Sequence, residues 1–529
     1  MEATKPPTVP WLALSGLILG TFVAILVSSS VNVALPKMMS EFGVNADSIQ
    51  WVVTAYTLVA GVVVPLSGYL CDRFGTKRVY VSALIIFTLG SVCCSLAWNN
   101  NSLIVARVLQ GLGGGLIMPV VMILIYRIVP REKMGLAMGV FGIAGMVAPA
   151  VGPTMGGYIV DALNWQWIFL SNVPVGLAAI FMGATQITET ARQAERRPDI
   201  LGIIICSIAC FTLLLALSQG QKEGWTSLYI VNLFIVSGFG FALFVIWEFI
   251  FPEPLLELRL LRNPTLNFSL IALSLLTIGL FAGSFLLPLY AQNILGYTPT
   301  QTGLLLLPQA LAMAVTMPVS GKLFDKFGAR PVCLAGLSIA AYYTYQLHTM
   351  TATMSFAMVE WILVKRAVGM GLALMPLTAV GLNTVPPALV SQGSAISNFF
   401  RQIAASIGIP IMVSVLTNRQ AFHNSWLADT VNYSSPLAWL SIKKIQGMLL
   451  GKGLAAPLAA AGAKGMLALQ VSKEAFVCGI QDTFLVAGII TAVGIPMALF
   501  LSKKAEADET EKQKQRYLAA LIAKGESLP

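Results

Sequence analysis

The chain has 529 residues, of which 57% are hydrophobic and 11% charged, whereas a soluble domain carries about a quarter charged residues. Its mean hydropathy of +0.79 excludes a water-soluble protein. The formal charge of +10 does not point to nucleic acid, because the basic residues sit in short loops between apolar runs, where they set orientation in a membrane.

Apolar runs of roughly 20 residues each match the ~30 Å of hydrocarbon they would cross. In chain order they predict spans at 11–35, 50–70, 79–97, 103–127, 135–160, 165–187, 200–219 and 227–250. Six more follow at 267–290, 303–323, 332–350, 356–381, 395–417 and 476–501. The first run is too long for a signal peptide and lacks a cleavage-type site, so it is expected to be retained. Fourteen spans place both termini on one side. Lys and Arg follow the even-numbered spans: Arg73, Lys77, Arg78; Arg127, Arg131, Lys133; Arg192, Arg196, Arg197; Arg259, Arg262; Lys322, Lys326, Arg330. The opposite short loops hold Lys37 and Lys222, so both termini are expected in the cytoplasm. The expected organisation is an all-α polytopic membrane protein. It has a six-span bundle over 1–190 and two inserted spans within 191–263. A second bundle covers 264–502, including a long outer loop at 418–475, and a cytoplasmic tail follows at 503–529.

The chemistry-bearing residues are few. Cysteines 71, 93, 94, 206, 210, 333 and 478 lie in or beside apolar runs, and Cys206 and Cys210 share a helix face without a His or acid to complete a metal site. His348 and His423 are the two histidines. There is no phosphate-binding Gly-x-x-x-x-Gly-Lys-Ser/Thr run. No metal, cofactor or catalytic cluster is expected, and the chain is not expected to be an enzyme.

The strongest organisational signal is a duplicated loop. Gly68-Tyr-Leu-Cys-Asp72-Arg73-Phe-Gly75 returns as Gly321-Lys-Leu-Phe-Asp325-Lys326-Phe-Gly328, 253 residues on. Arg107 is echoed by Arg366. Duplicated halves around a central site are the architecture of alternating access. The glycines suit a tight turn between closely packed helices. The aspartates can cap a helix or pair with a base across the bundle, so Gly68, Asp72, Arg73, Gly75, Gly321, Asp325, Lys326 and Gly328 are expected to gate.

These residues resemble the major facilitator superfamily, and the two inserted spans are similar to its fourteen-span drug:proton antiporter branch, including the inner-membrane subunit of Emr-type pumps. Arg107-Val-Leu-Gln110-Gly111 looks like the family's fourth-span motif, associated with proton coupling. Ala148-Pro149-Ala-Val-Gly152-Pro153-Thr-Met-Gly156-Gly157 looks like its fifth-span antiporter motif. Trp165 to Gly176, Leu287 to Gln292 and Asn398-Phe-Phe-Arg401-Gln402 extend the likeness. On its own chemistry Arg107 is also a functional candidate, since a charge within a span needs a partner, carbonyls or a wet cavity. Snorkelling to the outer interface is its plainer role. The resemblance implies a small-molecule substrate, exchanged protons, a bacterial inner membrane, and a periplasmic adaptor with an outer-membrane channel as partners. Ser29, Asn32, Gln292, Asn398 and Arg401 are candidates for the substrate path, which is expected to cross a largely apolar midplane cavity.

One departure bears on coupling. The register of Val31-Asn32-Val33-Ala34-Leu35-Pro36 puts Val27 where the family's first-span aspartate is expected. Neighbouring serines cannot titrate near neutral pH, so Glu360 and Asp482 become the acidic coupling candidates beside Arg107 and Gln110. Proton-coupled efflux of amphipathic molecules is the leading expectation. The alternative is uncoupled transport of a specific metabolite such as a siderophore or organic acid, and a non-transporting sensor or enzyme is remote.

Overall fold

In hydrocarbon every backbone N–H and C=O must be satisfied within the chain, and a helix does this segment by segment. The computed structural model describes residues 10–130, 133–189, 199–351, 353–386, 389–430, 436–501 and three tail positions, 511, 512 and 515. Arg131, Arg192, Arg196, Arg197 and nearly all of the expected tail lie outside the described residues.

The first six expected spans fold as α1 (Trp11–Phe42), α2 (Ala46–Val63) with α3 (Leu66–Phe74), α4 (Thr76–Ser95), α5 (Asn100–Ile128), α6 (Met134–Ala162), and α7 (Gln166–Leu170) with α8 (Asn172–Gln186). The inserted pair is α9 (Ile200–Glu223) and α10 (Leu228–Ile250). The remainder is α11 (Pro264–Asn293), α12 (Pro299–Phe327), α13 (Ala329–Gln346), α14 (Phe356–Asn383), α15 (Val390–Thr430), α16 (Pro436–Gly451) and α17 (Ala456–Leu499). Twelve of the described helices are long and apolar enough to cross a membrane, and the α2–α3 pair brings the number to thirteen. In α13, Tyr342, Tyr343, Tyr345 and Gln346 dilute the apolar run, yet it occupies the eleventh expected position, so the helices fit fourteen spans.

Two expectations need correction. The second span is broken, with α2 and α3 meeting at 58° because Pro65 has no N–H to continue the helical ladder. The segment expected as a long outer loop, 418–475, is largely helical. There α15 runs on to Thr430, α16 follows, and α17 begins at Ala456. Its Ala- and Leu-rich composition favours helix, and neither end of the membrane terminates one.

Local signals set the boundaries. Asn99 and Ser102 form a reciprocal cap on α5, as Thr298 and Gln301 do on α12. Both repeated loops turn at a glycine in the left-handed half of conformational space, Gly75 at φ +91° and Gly328 at φ +84°, where a side chain would clash.

The duplication extends to packing. α4 lies on α5 as α13 lies on α14, α2 on α5 as α12 on α14, and α1 on α8 as α11 on α17. The two sets meet along α6 and α12, the most extensive helix–helix interface, and where α15 crosses α3 and α5. The inserted helices pair with each other, and α9 leans on α2 and α15. Only 17% of the apolar window of α10 is buried within the protein, against 78% for α14, so α10 turns most of its surface outward.

Candidate functional site

At the end of the molecule carrying the repeated loops, α3 is pressed against the start of α15. A Cβ on Gly68 would stand 3.0 Å from the Ser391 carbonyl oxygen and 3.2 Å from the Ala395 Cβ, so a larger residue would push α15 away by a few tenths of an ångström or more. Four residues on, buried Asp72 pairs with Arg127 of α5 at 3.3 Å. Gln392 of α15 donates its Nε2 to the other carboxylate oxygen at 3.0 Å. Arg127 also donates to Ser391 Oγ at 2.6 Å and Thr76 Oγ1 at 3.0 Å. A charged acceptor and a charged donor from one half thus hold the first turn of α15, and the carboxylate suits the positive end of that helix. Arg73 donates to Tyr69 and stays within its own loop. Gly75 is followed by α4, whose Lys77 N–H is capped by Glu189 at 3.2 Å.

The second copy of the loop is not engaged in this way. Asp325 and Lys326 are exposed, and neither has a hydrogen bond or ion pair to a described residue, while Gly321 and Gly328 are buried. Among the described residues, the contacts between halves expected of both loops are therefore made by the first alone. Sequence reasoning took Arg127 for an orientation marker and missed Ser391 and Gln392, whose polarity at the opening of a span was the available signal.

Higher in the bundle, Arg107 is fully buried. It donates Nε to the Val52 carbonyl at 3.0 Å and Nη1 to Gln110 Oε1 at 2.5 Å, and Gln110 passes its Nε2 to Ser91 Oγ at 2.7 Å. The guanidinium lies 4.4 Å from the Tyr56 ring centroid and 5.7 Å from that of Phe169. Carbonyl, amide and aromatic faces replace the carboxylate partner, an arrangement that stabilises a buried cation. Arg366 repeats the pattern, bonding the Gly279 carbonyl at 2.6 Å and Thr344 Oγ1 at 3.0 Å.

The fifth-span glycines pack α6 on α1. Ser30 Oγ donates to the Gly152 carbonyl at 2.9 Å, and a Cβ on Gly156 would sit 2.9 Å from the Ser30 carbonyl oxygen. Gly157 and Pro153 are half-buried, and Pro149 is exposed. Of the substrate-path candidates, Ser29 bonds the Leu26 and Ala148 carbonyls, and Asn32 and Gln292 are exposed. Asn398 is buried against α5. Its Nδ2 meets Met122 Sδ at 3.3 Å, and Arg401 Nη2 meets Met118 Sδ at 3.1 Å and Asn398 Oδ1 at 2.6 Å. Around α15 from these residues, Phe399 and Gln402 line a small apolar crevice with Leu213, Leu214 and Phe241. Val27 is fully buried.

The two acidic coupling candidates differ. Glu360 is half-buried with no hydrogen bond or ion pair to a described residue, and none forms to Lys365, which lies over the Tyr343 and Trp361 rings. Asp482 accepts from Arg419 Nε at 2.6 Å and contacts His423 Nε2 at 2.7 Å, joining α17 to α15.

A multi-pass helical protein in two packing-related halves, joined at one end through one copy of a repeated loop, has the form of a membrane transporter. A family model described as Major Facilitator Superfamily matches residues 17–409, and the chain belongs to that superfamily. It is 35% identical over 519 residues to the "Uncharacterized MFS-type transporter YhcA" of Bacillus subtilis strain 168, covering 98% of this chain and 97% of that one. It is 28% identical over 469 residues to the "Multidrug export protein EmrB" of Escherichia coli K12, covering 88% and 90%. Among solved structures, that of the human organic anion transporter MFSD10 (TETRAN) aligns with a TM-score of 0.56 at 11% identity, over 92% of this chain and all of that one. At that identity the likeness concerns the fold alone.

Proposed function

We propose that this protein exports amphipathic small molecules across a bacterial inner membrane by alternating access, in exchange for protons. The carrying observation is the clasp of Asp72 and Arg127 on Gln392 and Ser391, a polar and charged contact between the halves at the end carrying the repeated loops. Contacts of this kind hold one state closed and must break for the other. With the basic loops inside, the clasped end is cytoplasmic. EmrB's name as a multidrug exporter supports efflux. Glu360 is the preferred proton carrier, since Asp482 is already held by Arg419 and His423. In a two-membrane cell, the helical extension of α15–α17 is the surface an adaptor and outer-membrane channel would meet. The test is dye accumulation in everted vesicles under an imposed proton gradient, and no accumulation of any charge class defeats the reading.

A second reading, transport of one metabolite without proton exchange, is favoured by buried Val27 at the place where an aspartate was expected. A secretion defect in a deletion strain with unchanged drug tolerance would select it.

A further inference from the structure

Three arginines lie within the helical bundle away from its ends, and they are not equivalent. Arg107 and Arg366 are 0% and 2% exposed and donate to carbonyls, an amide and a hydroxyl of their own half, and the one Arg107 nitrogen left without a partner, Nη2, is sealed inside that half. Arg401 is part-exposed and reaches from α15 across to α5 of the other half. Both of its hydrogen bonds leave from Nη2, one to a methionine sulfur and one to an amide oxygen. Its Nε and Nη1 bond no described residue. Its neighbour Met118 is nine residues above Arg127 on α5, about 14 Å at 1.5 Å per residue and so near the middle of ~30 Å of hydrocarbon.

No described carboxylate bonds this guanidinium. Asp72 is taken by Arg127 and Gln392, and Asp482 by Arg419 and His423. Glu360 stands one turn inside the far end of α14, and Asp325 is exposed at the clasped end. The two groups it bonds, Asn398 and Met118, are uncharged, as are Ser394 and Met122, which Asn398 meets in turn. A half-paired cation at midplane between the halves is a site built for a counter-charge brought from outside. The planar fork matches a two-oxygen anion, and the methionines offer adaptable apolar contact.

We propose that the cargo is an amphipathic anion, a carboxylate or sulfonate on an apolar skeleton, and that Arg401 is the residue that binds its charge. This rests on the transport reading above and narrows it to one charge class, against the cationic cargo an acidic cavity would take.

The test uses three probes with one skeleton: naphthalene-2-sulfonate, naphthalene-2-methanol and naphthalene-2-methylammonium. Binding to the full chain in nanodiscs is measured calorimetrically against empty nanodiscs, and export in everted vesicles. The sulfonate should bind about tenfold or more tighter than the alcohol, the scale of one charge-assisted bidentate contact. Arg401→Gln should weaken the sulfonate by about that factor and move the alcohol within about twofold, while Arg401→Lys keeps an intermediate affinity. Wild-type preference for the ammonium probe, or equal weakening of all three in Arg401→Gln, overturns the proposal. The wild-type ranking decides the matter even if the glutamine variant fails to fold. Arg401-dependent sulfonate binding without export under any gradient would sink the export reading and leave this one standing, whereas export of the ammonium probe alone would do the reverse.

Discussion

Replacing Asp72 by Asn tests whether the clasp governs which way the protein faces. Asn keeps the shape and can still accept from Gln392, but the carboxylate charge that orients Arg127 toward Ser391 is gone. A hydrogen bond to a charged group contributes about 1.5–3 kcal/mol against about 1 for a neutral one. At 4% exposure solvent screens little of this, so the clasped state should lose about 1–2 kcal/mol relative to the open one, a factor of about 5–30 in their ratio. Spin labels on Lys77→Cys and Lys322→Cys, in a background without the native cysteines, report the separation of the two loops in nanodiscs. Asp72→Asn should move the distribution toward longer distances, and Asp325→Asn, which alters an exposed side chain, should not. An unchanged distribution in the first variant, or an equal shift in the second, would refute the reasoning.

Gly68→Val should disfavour closure, because even a Cβ there meets the Ser391 carbonyl at 3.0 Å and valine adds two methyl groups beyond it; transport should fall about tenfold or more while helical content by circular dichroism is unchanged. Arg107→Met strips two donors from Val52 and Gln110 and should cost about 1–3 kcal/mol, read as a Tm several degrees lower in detergent. A loss of transport with Tm unchanged would instead assign Arg107 to coupling. Asp482→Asn releases Arg419 and His423, so hydrogen exchange should quicken around 419–423 and 478–486 and stay constant at the clasped end.

Span positions were legible because hydropathy is a local property, and each expected run falls on helical segments, two of them on a pair of helices. The break at Pro65 was equally local, yet it was passed over because the run 50–70 stays apolar through it. Helices that outlast the membrane were hidden for the opposite reason: past Leu416 polar and small residues accumulate, and a reading tuned to hydrocarbon takes polarity for a loop. The clasp was half legible. Glycine and aspartate at matched spacing twice over pointed to Gly68 and Asp72, and both loops do turn at Gly75 and Gly328. What the repeat could not disclose is its broken symmetry, since that depends on which side chains stand opposite, and Ser391 and Gln392 come 319 and 320 positions after Asp72. Arg401 appeared as part of a motif; its half-paired state emerges only when α5 is seen across from it.

At 41 and 44 residues, α15 and α17 are each about 60–66 Å long at 1.5 Å per residue, twice the hydrocarbon they cross. The Asp482 knot ties them together where they leave the bundle, and α16 lies along α17 beyond it, so the pair works as a lever. A rocking of about 10° on an arm of about 30 Å sweeps its tip about 5 Å sideways. On the proposed transport cycle the lean of this mast would track the relative position of the two halves, and an antibody fragment that grips its tip would restrain them without ever touching the cargo.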